Sequence, residues 1–172
     1  MRVRESFLKY SGYILLITLV YAISTARGVL PTFFGTKPLI LIPLVLCIAM
    51  FEGDLCGATM GAVAGALMDA GSMSAFGFSA IFLLAFGFAA GFLITYFMRN
   101  NIFTALIICA GSAFLYGFFK WFFFYAIFRY DNAFYVLCRY YLPSAVYTLV
   151  FMPLFYFISI LLVKRARRLE QL

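Results

Sequence analysis

The sequence predicts an all-α, polytopic membrane protein: a single integral membrane domain over residues 1–172, built as a bundle of about six transmembrane helices with both termini cytoplasmic. Three observations carry that expectation. Hydrophobic residues make up 66% of the chain and charged residues 11%, with a mean hydropathy of +1.06, against roughly 45–50% apolar and about 25% charged in soluble domains. The charges are clustered, and they cut the apolar sequence into segments near the ~20 residues that cross a bilayer. Basic residues gather at both ends of the chain, where the positive-inside rule sets orientation. A water-facing surface cannot be assembled from this composition, and the length leaves no room for a separate soluble domain.

The first span is expected over Tyr10–Ala26. With Ser24 and Ala26 after an apolar run it also has the outline of a cleaved signal peptide. Cleavage would leave five spans and a basic C-terminus outside, against the charge bias, so the retained six-span arrangement is preferred. The second span (Leu39–Phe51) and the third (Leu55–Met68) are short, each closed by charge, proline or glycine. The fourth covers Ala75–Met98, the fifth Ile102–Phe128 and the sixth Leu142–Val163, with Pro143 suited to a first helical turn. Pro43 and Pro153, inside spans, predict kinks of the kind membrane helices tolerate when neighbours satisfy the freed carbonyls.

Orientation follows from the basic residues. Arg2, Arg4 and Lys9 precede the first span, Arg99 separates the fourth from the fifth, and Lys164, Arg165, Arg167 and Arg168 follow the last. The opposite side holds Arg27, Lys37, Arg129 and Arg139, a smaller set. The acidic turn at Glu52 and Asp54 falls inside, where acids weigh little on orientation. The net charge of +7 therefore reads as cytoplasmic anchors for anionic membrane lipid. No separate basic domain with base-stacking aromatics accompanies it, so no nucleic-acid partner is expected.

The residues available for chemistry are few. Histidine is absent, which removes the commonest metal ligand and general base. Cys47, Cys56, Cys109 and Cys138 have no paired spacing and read as packing residues. No catalytic residue, metal site or cofactor is expected.

The most informative stretch is Gly53, Gly57, Gly61, Gly65 and Asp69, one helical ridge at a spacing of four, with Ala58, Ala62, Ala64 and Ala66 between them. Glycine weakens a helix, so a repeated stripe points to another backbone packed closely against it. The fourth span supplies Gly77, Gly87 and Gly91. Tight packing within one chain is the first expectation, and a homo-oligomer or partner interface the second.

Asp69 is an intramembrane acid, costly unless paired or hydrated. Sixteen residues after Gly53, it lies about 24 Å along its helix from the cytoplasmic start, and Lys120, eighteen residues after Ile102, lies about 27 Å along its own. The matching depths raise the expectation of a shared polar cluster near the outer side. The alternatives are an aspartate capping the Gly71–Ser74 loop and a lysine snorkelling to the interface. Around Lys120 the run Phe118, Phe119, Trp121, Phe122, Phe123, Phe124 and Tyr125, continued by Tyr130, Phe134, Tyr135, Tyr140 and Tyr141, reads as an outer aromatic belt.

On these residues the region Gly35–Arg99 resembles the rod shape-determining protein MreD family: Lys37 and Pro38 open an apolar helix, followed by the charged turn, Gly61, Gly65 and Asp69, a loop with Gly77, then Gly87 and Gly91. Leu39 stands where that family usually carries an acid. The resemblance covers under half the chain. It implies a non-enzymatic scaffold subunit of the bacterial cell-elongation machinery in the plasma (inner) membrane, associated with the single-span protein MreC and through it with MreB filaments and the peptidoglycan synthases. A second reading is the substrate-binding membrane subunit of an energy-coupling factor vitamin transporter, which looks like a similarly small six-helix protein. There Asp69, Lys120 and the outer aromatics would line a ligand pocket.

Overall fold

A computed structural model describes residues 2–26, 39–71, 77–98, 100–123, 139 and 142–169, with side chains from Tyr10 onward in the first helix and from Pro143 to Leu161 in the last. The described residues form six α-helices and no strand: α1 (Arg2–Thr25), α2 (Leu41–Glu52), α3 (Asp54–Gly71), α4 (Phe78–Tyr96), α5 (Ile102–Trp121) and α6 (Leu142–Leu169). Three of them, α4, α5 and the Pro143–Leu161 part of α6, are long and apolar enough to cross a membrane. Tyr10–Thr25 of α1 and all of α2 are apolar but shorter. At 18 residues α3 has the length, but glycine, alanine and two acids hold down its hydropathy.

The short α2 is the axis of the bundle. Every residue from Ile40 to Met50 is buried, and the other five helices pack around it. A helix apolar on all sides needs such enclosure. Its length of about 18 Å is well under the ~30 Å of a hydrocarbon layer, which a helix touching protein on every side has no need to match. Its ends are closed by polar groups of neighbouring elements. The Leu39 N–H donates to Thr148 Oγ1 of α6 at 3.0 Å, and the Thr148 hydroxyl donates to the Ser144 carbonyl at 2.7 Å. At the other end Asn100 Nδ2 donates to the Met50 carbonyl at 3.1 Å. No buried side-chain nitrogen or oxygen among the described residues lacks a hydrogen-bond partner, as an apolar surround demands.

Successive helices alternate in direction. At one end of the bundle the Tyr13 hydroxyl donates to Glu52 Oε1 at 2.8 Å, Phe51 meets the Tyr156 ring with centroids 5.5 Å apart, and Gly91 of α4 lies on Asp54 of α3. At the other end Tyr21 approaches Gly71, and Ser79 meets Tyr116. Because Tyr13 and Tyr156 both meet the end of α2, α1 before Tyr13 and α6 after Tyr156 leave the bundle at the same end.

The outer surface inverts the soluble pattern. Leu15, Ile81, Phe103, Val150 and Leu161 are between 66% and 76% exposed, whereas Asp69, Ser79, Thr148 and Ser159 are buried. Polar inside and large apolar outside is a surface that lipid, not water, covers.

Several expected boundaries move. Helix α1 starts at Arg2 rather than Tyr10 and carries Arg2, Arg4 and Lys9 on its first turns, and α6 runs past Val163 to Leu169 through Lys164, Arg165, Arg167 and Arg168. Lysine and arginine are good helix formers, so they end a membrane span without ending the helix. Helix α5 is regular from Ile102 to Trp121 and its winding continues through Phe122 and Phe123, while residues 124–128, on which the expected end falls, lie outside the described residues. Pro43 sits in the first turn of α2, where its missing N–H interrupts no ladder bond, while Pro153 is interior to α6.

Candidate functional site

The glycine stripe is occupied within the chain. A Cβ on Gly57 would stand 2.6 Å from the Gly87 carbonyl oxygen, one on Gly61 would fall on the Leu83 carbonyl, and one on Gly65 would stand 2.5 Å from the Ser79 carbonyl oxygen. From the other side, a Cβ on Gly87 would meet the Gly57 carbonyl, and one on Gly91 would stand 2.6 Å from the Asp54 nitrogen. Each turn upward on α3 thus meets a turn downward on α4, and the two backbones touch along their length. Small residues permit this approach, which dispersion forces then reward. Gly53 departs from the expected ridge. It is the single residue between α2 and α3, with φ +98°, so its glycine serves the reversal rather than the helix contact.

Asp69 closes the far end of this hairpin. It is 1% exposed, and its carboxylate accepts the backbone N–H groups of Gly77 (2.9 Å), Ser79 (3.1 Å) and Ala80 (3.2 Å). These are orphan donors of the α4 N-terminus, where negative charge is also favoured by the helix dipole. The acid therefore caps the following helix across the connection, while the expected capping of the Gly71–Ser74 loop falls on residues 72–74, which lie outside the described residues. Gly77, with φ +97°, makes the turn into α4.

Lys120 reaches the same place by a second route. Ser79 Oγ and the Tyr116 hydroxyl are 2.9 Å apart in a hydrogen bond, and Tyr116 is buried on α5. Lys120, one turn further on, holds its Nζ 5.6 Å from the Tyr116 ring centroid, within cation–π range. The Asp69 and Lys120 expected at one depth are thus joined through Ser79 and Tyr116, two residues that sequence reasoning did not single out. Their signal was a serine two residues after Gly77 and a tyrosine one helical turn before the lysine.

Aromatic rings surround the cluster. Phe78 contacts Phe82, Tyr116 and Phe123, and Phe119 contacts Phe82 and Phe118. Of the predicted belt, Phe124, Tyr125, Tyr130, Phe134, Tyr135, Tyr140 and Tyr141 lie outside the described residues, as does the anchor Arg99. Cys47, Cys56 and Cys109 are buried free thiols, and Cys138 lies outside the described residues.

The carboxylate is engaged with backbone amides, the hydroxyls with each other and the lysine with a ring. Such an arrangement fixes three helices against one another. No protein-family model, curated protein or solved structure matches the chain.

Proposed function

We propose that this chain is a non-enzymatic scaffold subunit of the bacterial cell-elongation and peptidoglycan-synthesis machinery, in the manner of the MreD family. It lies in the plasma membrane as a multi-pass bundle of six membrane-embedded helices, with both termini cytoplasmic. It binds an MreC-like single-span protein, and through that protein the cell-wall synthesis complex.

The observation that carries this reading is where the resembling residues fall. Gly61, Gly65, Gly87 and Gly91 lie at backbone contacts of the α3–α4 hairpin, Asp69 caps it and Gly77 turns it. The part of the chain that resembles the family is one structural unit, and its polar groups are committed to holding helices together. That suits a protein whose work is to present a rigid surface in lipid. The apolar periphery and the exit of both basic ends from one side of the bundle support the membrane placement and its orientation.

Affinity purification of the tagged full-length chain from its native membrane, followed by mass spectrometry, tests the reading. A single-span coiled-coil protein and cell-wall synthases are the expected companions. Recovery of transporter ATPase subunits or a tightly held vitamin would replace the scaffold with the substrate-capture subunit. Depletion should round rod-shaped cells, and normal width after full depletion would reject the role. Gly61→Leu should lower partner recovery by disturbing the hairpin.

A further inference from the structure

We draw no further inference here: the strongest candidate, the buried sulfur pair in the core where the Cys47 thiol of α2 lies 3.8 Å from the Met152 thioether of α6, is one thiol packed on one thioether with nothing in the structure that points to a ligand.

Discussion

Gly57 and Gly87 meet backbone to backbone, the carbonyl oxygen of each lying where a Cβ on the other would stand. Neither neighbour is a side-chain tip that can swing aside, so even a methyl group must push two helices apart. Gly57→Ala and Gly87→Ala should each destabilise the protein by about 1–3 kcal/mol, the usual cost of overpacking. Gly111 on α5 has open space around its Cβ position, and Gly111→Ala should be neutral or stabilising by up to about 1 kcal/mol through helix propensity. Thermal unfolding in detergent checks both, and equal losses at the packed and open glycines would remove the close-contact account.

Asp69 supplies a cap to three amides, so its replacements should fall in a defined order. Asp69→Ala leaves those N–H groups without their acceptor and should cost about 2 kcal/mol or more. Asp69→Asn keeps one carbonyl oxygen and should lose less. Hydrogen exchange at the Gly77–Ala80 amides should accelerate in Asp69→Ala ahead of exchange in the middle of α4. Unchanged protection there would mean that the carboxylate does not cap α4.

The glycine spacing made the hairpin legible because small residues every fourth position can only be explained by a close neighbour, and α4 carried its own glycines at the matching turns. The depth arithmetic brought Asp69 and Lys120 to one end for a similar reason: helix rise is nearly constant. The role of α2 was not legible. Its run of Leu, Ile and Val is what lipid-facing and fully enclosed helices share, and only the surrounding chain distinguishes them. Gly53 was misplaced because a turn glycine and a packing glycine look alike at the head of a stripe. Ser79, Tyr116, Thr148 and Asn100 escaped notice because single hydroxyls and amides have no periodicity, and their partners lie 37 to 109 residues away.

The Ser79–Tyr116 hydrogen bond joins α4 to α5 at a point buried from water. A double-mutant cycle with Ser79→Ala and Tyr116→Phe should return a coupling of about 0.6 kcal/mol, and no more than about 1.7, the range seen for polar pairs between membrane helices. A coupling near zero would mean that each hydroxyl finds another partner.

Alternating helix directions put the start of α1 and the end of α6 on one side. Single cysteines placed after Met1 and at Leu172, in a background without the four native cysteines, should both resist a membrane-impermeant thiol reagent in intact cells and react after permeabilisation. Labelling of either end in intact cells would contradict the six-helix orientation.

Thr148 tests whether the central helix depends on its ring for closure. Its Oγ1 accepts the Leu39 N–H, just ahead of α2, while its own proton goes to Ser144 within α6. Thr148→Val keeps the shape and removes the acceptor, leaving a part-buried backbone donor without its partner. Since Ile40–Met50 is enclosed on all sides, α2 cannot shift to recover the bond without exposing packed residues elsewhere. The expected loss is about 1 kcal/mol, near the net value of one hydrogen bond, with most of it restored by Thr148→Ser. If Val and Ser variants melt together with the unaltered protein, the end of α2 is held by packing alone.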